Sequence, residues 1–226
     1  MSKLAYKVVR AIGYPCLAVS SRATVLHRER AKRGGAYLLA PTHMSPYDIP
    51  CLMRVSPRDL DFLSIVEFYE QPWTTRLFRA MNCIFCDRAK PDPAATRQIL
   101  DRLAHGHVVT MFPEGHLRPE GKSVVVGAPF RPGVVKIAQM AEVPIIPCVI
   151  LDTSQYRHFA AWLPSRRTKY GVAFGEPIRV PGGQGGKGNR VTALARLQQS
   201  YMDLYNELCS AMKRPAITKR DAAASE

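Results

Sequence analysis

The chain has 226 residues, 46% of them hydrophobic and 22% charged, enough for one substantial core, which argues against a disordered chain. Its formal net charge is +14, so the surface favours anionic partners: nucleic acid, an anionic bilayer face or phosphorylated small molecules. No apolar run reaches the ~18 residues of a spanning helix. No signal peptide with a cleavage site is read, so the six cysteines are expected as thiols in a reducing cytoplasmic setting.

In chain order, Leu4, Val8, Ile12 and Cys16 fall at helical spacing among Lys3, Lys7 and Arg10. This predicts an amphipathic helix within residues 3–28, broken or kinked by Gly13 and Pro15. Such a helix suits either the surface of an anionic membrane or ordinary packing on a core. Strands are then expected over 36–40, 60–64, 83–86, 107–112, 145–151 and 170–174. Helices are expected over 49–55, 73–81, 93–104 and 131–141. In the third of these Asp92 caps Pro93, and Ala94, Ile99 and Leu103 share a face. The Gly-rich run 181–189 reads as a flexible loop. Val191, Leu194, Leu197, Tyr201, Leu204 and Leu208 mark a last helix that ends near Lys213, and the final dozen residues are expected to fray. Strands alternating with helices point to an α/β fold, with a mixed, mostly parallel sheet flanked by helices and an N-terminal amphipathic segment. The run Ile145–Ile150 predicts a strand buried on both faces. The expected division is an amphipathic N-terminal segment 1–30 suited to a membrane interface, a main domain 31–213 that includes the last helix, and a flexible tail 214–226.

Three segments carry possible chemistry. Thr42-His43-Met44-Ser45-Pro46-Tyr47-Asp48 follows a strand and places a carboxylate where it can reach back to one imidazole nitrogen, leaving the other to take a proton from a hydroxyl. Such a pair also occurs as a plain structural contact in a turn. No nucleophile elbow accompanies it, and nothing marks Ser45 as a nucleophile. Phe112-Pro113-Glu114-Gly115 ends a strand, a common place for functional groups in α/β folds, and Gly115 permits close backbone approach. The bland alternative there is a surface loop with a solvated Glu. Arg88, in Asp87-Arg88-Ala89-Lys90, could bind a phosphate in bidentate fashion or be a solvated cation. Cys83-Ile84-Phe85-Cys86 lacks a second CxxC and reads as a strand, while His105-Gly106-His107 reads as a turn, so no metal is expected. Aromatic residues are not interleaved with basic ones as in base-stacking platforms, so nucleic acid is not the expected partner.

Together these segments resemble the glycerolipid acyltransferase family, best known from the 1-acylglycerol-3-phosphate acyltransferases. The family's HxxxxD is matched by His43 and Asp48, and its GxxFxxR by Phe85 and Arg88. Its FPEG is matched at Phe112–Gly115, and its VPIIPV at Val143–Cys148. Pro129–Gly133 and Phe174–Ile178 look like the family's flanking segments, and the resemblance spans roughly 35–180. The chain departs at Asn82 for the Gly of the second motif, at Thr42 for the Asn before the His, and at His116-Leu117-Arg118 for the Thr-Arg-Ser after Glu-Gly.

The resemblance implies an enzyme that passes a fatty acyl group from acyl-CoA or acyl carrier protein, as co-substrate, to a lysolipid hydroxyl, with no cofactor. His43 would be the general base and Asp48 its orienting partner, while Arg88, Glu114, Gly115 and Arg118 would form the acceptor site. An anionic membrane surface is the expected partner, with a peripheral location on its cytoplasmic face. With Leu117 in the place of the phosphate-contacting Arg, another lysolipid or a hydroxylated lipid remains open as acceptor. A non-catalytic basic module that binds membrane or nucleic acid remains the alternative.

Overall fold

A computed structural model describes residue 15 and residues 17–65, 83–86, 92–182 and 186–217. The expected helix 73–81, Asp87, Arg88 and the expected helical positions Leu4, Val8, Ile12 and Cys16 lie outside the described residues, as does most of the tail. Among the described residues seven strands form one sheet: β1 (Ser21–Leu26), β2 (Tyr37–Pro41), β3 (Leu60–Ile65), β4 (Ile84–Cys86), β5 (Val108–Thr110), β6 (Ile145–Leu151) and β7 (Thr168–Phe174). Their spatial order is β1-β7-β6-β2-β5-β3-β4. The five strands from β6 to β4 are mutually parallel. β7 runs antiparallel to β6, and β1 pairs parallel with β7, Ser21 opposite Thr168 through Leu26 opposite Ala173. The sheet is therefore mixed and mostly parallel, as the alternation of elements implies.

Among the described residues, helices α1 (Asp48–Val55), α2 (Pro93–Ala104), α3 (Gly133–Met140) and α4 (Gly186–Met212) pack on it. The alternation of side chains along each strand divides the core in two. Leu38 and Ala40 of β2, with Ile145, Val149 and Leu151 of β6, meet α2, α3 and α4. Tyr37 and Leu39, with Ile146, Cys148 and Ile150, meet α1 and the short turns between β6 and β7. Because both faces are covered, all seven residues of β6 are buried, as expected for a central strand of a parallel sheet.

Local chemistry accounts for several boundaries. Asp92 accepts a hydrogen bond from the Ala95 N–H at 2.9 Å and Pro93 opens α2, a cap that contributes about 1 kcal/mol. The buried face of α2 is Ala95, Ile99 and Leu103, not Ala94, because residues three or four apart share a stripe and Ala94 is five from Ile99. In α4 the buried stripe runs Ala193, Leu197, Tyr201, Leu204 and Leu208, and Val191 is exposed. Leu208 and Met212 lie so close to β7 that a Cβ on Gly171 would stand 2.9 Å from Leu208 Cδ1.

Three expectations need correction. Ser21–Leu26 falls in the stretch read as helical, yet it is an edge strand: its pairing with β7 overrides the weak helical spacing. Gly186 to Asn189, expected in a loop, open α4, held there by Gln139 Nε2 on the Pro181 carbonyl and Asn189 Nδ2 on the same oxygen. The strand expected over 107–112 is confined to Val108–Thr110, after which Met111 and Phe112 turn toward the His43 loop. Among the described residues no helix is long and apolar enough to cross a membrane.

Candidate active site

β5, β2 and β6 are adjacent and parallel, so the segments that follow them emerge at one edge of the sheet. Those segments are Phe112–Gly115, Thr42–Asp48 and Asp152–Thr153, and this edge is where parallel α/β sheets bind ligands. Thr42 fixes the departure of the first chain from the sheet. Its N–H donates to Cys148 O at 2.9 Å, and its hydroxyl accepts from the Ile150 N–H at 2.9 Å.

His43 and Asp48 meet. His43 Nδ1 lies 3.1 Å from Asp48 Oδ2. The same oxygen accepts from the N–H groups of Met44, at 2.8 Å, and Ser45, at 2.9 Å, while Oδ1 accepts from the Thr153 hydroxyl. Asp48 is fully buried as the first residue of α1, where a carboxylate interacts favourably with the helix dipole. Pro50, in the first turn of α1, lacks only an N–H that would have had no partner within the helix. Three other groups donate to this carboxylate, and as an ionised acceptor it pairs with the tautomer that carries its proton on Nδ1 and presents the Nε2 lone pair. Phe112 stacks on the imidazole, with ring centroids 4.0 Å apart and planes inclined by 23°, which restricts its rotation. The His43 side chain remains 14% exposed.

Glu114, for which the resemblance implies an acceptor contact, lies at the site with its carboxylate bonded within the protein. It is fully buried rather than solvated. One carboxylate oxygen accepts the His43 N–H at 2.7 Å; the other accepts the Ser123 hydroxyl at 2.6 Å and the Val124 N–H at 2.9 Å. The carboxylate thus faces inward and holds the backbone of His43. The carbonyl of the same residue accepts the Arg118 N–H at 2.9 Å, so one loop grips His43 at both ends of its main chain. The Arg118 guanidinium points elsewhere, to Pro129 O at 2.7 Å. Leu117 beside it is 44% exposed. Gly115 has φ +74°, a conformation that disfavours side chains, and a Cβ there would stand 2.9 Å from Arg131 Nε. Arg131 therefore lies directly over this loop. Arg88 lies outside the described residues.

Cys51 and Cys148 flank Asp48. Burial pushes both thiols up, and the Asp48 carboxylate raises them further, so neither offers a thiolate nucleophile at neutral pH. Ser45 is equally unsuited: its hydroxyl accepts from the Tyr47 N–H at 3.2 Å and is buried.

Sequence reasoning missed Thr153, Ser123 and Arg131, whose roles depend on which strands become neighbours. It also missed Arg214, just past α4. Arg214 binds both oxygens of Glu120, at 2.7 and 2.8 Å, and Asp152 at 2.6 Å. Glu120 lies three residues before Ser123, and Asp152 immediately before Thr153. One guanidinium therefore ties together the two loops that support Glu114 and Asp48.

Residues 22–151 match the family model described as Acyltransferase. A curated 1-acyl-sn-glycerol-3-phosphate acyltransferase of Bacillus subtilis (strain 168) is 22% identical over 163 residues, which is 72% of this chain and 76% of that protein. The crystal structure of the 1-acyl-sn-glycerophosphate acyltransferase PlsC from Thermotoga maritima has a TM-score of 0.65 to this chain at 22% identity, covering 88% of this chain and 79% of that one. The latter likeness is one of fold.

Proposed function

Since the chain belongs to the acyltransferase family, with residues 22–151 forming the matched domain, we propose that it moves a fatty acyl group from acyl-CoA or acyl carrier protein to the hydroxyl of a lysolipid such as 1-acylglycerol-3-phosphate, in membrane-lipid synthesis. The observation that carries this reading is the His43–Asp48 pair, in which Nδ1 faces the carboxylate and Nε2 has no hydrogen-bond partner among the described residues. The acceptor hydroxyl gives its proton to Nε2 as its oxygen attacks the thioester carbonyl. Asp48 stabilises the imidazolium so formed. The tetrahedral intermediate collapses by breaking the C–S bond, and the departing thiolate takes the proton back from Nε2. The products are the ester and the free thiol, and every proton has a carrier without a cofactor.

Glu114 acts in this scheme through His43, since its oxygens are already bonded within the protein. Head-group recognition falls to Arg88, as the resemblance implies, and to Arg131, whose side chain lies over Gly115. A second cation near the loop offers a way to hold a phosphate although Leu117 occupies the family's Arg position. The net charge of +14 suits an anionic donor, either the phosphates of coenzyme A or an acidic carrier protein, and a peripheral position at the cytoplasmic face of an anionic membrane.

The test uses the purified full chain with acyl-CoA or acyl carrier protein and a panel of acceptors: 1-acylglycerol-3-phosphate, lysophospholipids with other head groups, and hydroxylated lipids. Free thiol and acylated product are measured together. Stoichiometric transfer, fastest to a phosphate-bearing lysolipid, supports the reading. Transfer only to a neutral acceptor would overturn the head-group assignment. Binding to vesicles or DNA with no turnover on any acceptor would overturn the reaction itself.

A further inference from the structure

β6 and β7 are joined by residues 152–167, which leave the sheet at the same edge as His43. The first turn, Thr153–Arg157, carries the hydroxyl that bonds Asp48. The second, Phe159–Trp162, sets Trp162 edge-on to Tyr47, the residue before Asp48, with centroids 6.1 Å apart and planes at 67°. The indole N–H donates to Tyr156 O at 2.8 Å, so the inner side chains fasten this connection beside the site.

The outer side chains have a different character. Phe159 is 80% exposed and Leu163 is 42% exposed. Arg157, Arg166, Arg167 and Lys169, which flank them in sequence, are all exposed as well. The sequence contains no carboxylate from residue 153 to residue 175. An aromatic ring standing in water is unfavourable, and clustered cations repel one another unless an anionic surface faces them. An anionic lipid–water interface relieves both at once, because it is negative at the head groups and apolar just beneath.

We propose that residues 157–169 dock this protein on an anionic bilayer, with Phe159 and Leu163 entering the acyl-chain boundary and the four cations resting on lipid head groups. The proposal rests on the lysolipid acyltransferase reading in one respect: docking here would hold the site at the surface where such an acceptor resides. An acidic carrier protein would also answer the charges. A phenyl ring four-fifths out of the surface is better matched to insertion than to the polar face of a folded partner.

The test compares the full-length protein with F159A/L163A and with R157Q/R166Q/R167Q/K169Q, none of which alters a residue of the catalytic machinery. Flotation is measured on phosphatidylcholine vesicles with and without phosphatidylglycerol. Each variant is expected to lose about tenfold or more in partitioning onto anionic vesicles, the first at any ionic strength and the second chiefly at low salt. F159W is expected to show a blue-shifted emission with anionic vesicles and quenching by brominated lipids. Transfer to an acceptor embedded in vesicles is expected to fall with binding, while transfer to a short-chain, monomeric acceptor stays unchanged.

Wild-type vesicle binding by both variants overturns the proposal, because another part of the chain then does the docking. So does F159W emission that is already blue-shifted in buffer and indifferent to vesicles, which would mean that the chain or a second copy covers the patch. A defect confined to the acyl carrier protein donor overturns it in favour of a protein partner. Wild-type protein that binds vesicles through this patch yet transfers no acyl group supports the docking surface and overturns the enzymatic reading instead.

Discussion

Glu114→Gln discriminates between a carboxylate that contacts the acceptor and one that holds the catalytic base. In the native site three donors converge on Glu114: His43 N–H at 2.7 Å, Ser123 O–H at 2.6 Å and Val124 N–H at 2.9 Å. A Gln side chain keeps the shape but supplies a single accepting oxygen. If that oxygen faces His43, the amide NH2 points at Ser123, which can turn to accept, and at the Val124 N–H, which cannot. If it faces the other way, the NH2 opposes the His43 N–H directly. Either orientation leaves one buried N–H unpaired, and such a group costs about 1–3 kcal/mol. Glu114→Ala leaves both N–H groups unpaired and opens a cavity, for a loss of about 3–6 kcal/mol, a large fraction of a domain's stability. Displacing the His43 backbone by a fraction of an ångström misaligns Nε2, so for Glu114→Gln kcat is expected to fall about ten- to a hundredfold. The acceptor KM should change little. Urea unfolding gives the stability and steady-state kinetics the split between kcat and KM. Raised KM with native kcat and stability would refute the argument and return Glu114 to the acceptor site.

Three further outcomes follow from the same geometry. Asp48→Asn places an amide among four donors and no longer fixes the Nδ1–H tautomer; kcat should drop about a hundred- to ten-thousandfold, whereas Thr153→Val, which removes one of those donors, should cost about tenfold. A full loss in Thr153→Val together with a mild effect of Asp48→Asn would contradict this ranking. Arg214→Ala unties Glu120 from Asp152 and should lower stability by about 2 kcal/mol in urea unfolding, and an unchanged midpoint would show that the two loops hold without it. Burial pushes the Cys83 thiol up to about 12 and raises the Cys148 thiol as well. A raised thiol pKa means the neutral form persists at ordinary pH. Both cysteines should resist thiol reagents near neutral pH in the native protein and react on unfolding, with mass spectrometry locating the label; rapid native labelling at either would contradict their placement.

What the sequence made legible follows from what is local. The cap at Asp92, the five-residue reach from Asp48 to His43 and the apolar run of β6 each depend on nearby residues, and each is found where the pattern places it. Edge strand β1 was not legible, because its half-exposed residues gain order only from β7, about 147 residues away in sequence. The inward orientation of Glu114 was not legible either, since the motif carries its position and not the Ser123–Val124 turn that it bonds. Thr153 and Arg214 become functional neighbours of the site only once β6 lies beside β2 and α4 has crossed the sheet. Nothing in their own surroundings marks them.

His43→Ala tests whether Nε2 of His43 takes the acceptor proton. Thiol release from acyl-CoA and formation of the acylated lysolipid are followed together, with circular dichroism confirming that the variant is folded. Transfer is expected to fall about a thousandfold or more while the unfolding transition stays close to that of the native protein. A folded His43→Ala protein that retains transfer within tenfold of the native rate would contradict it.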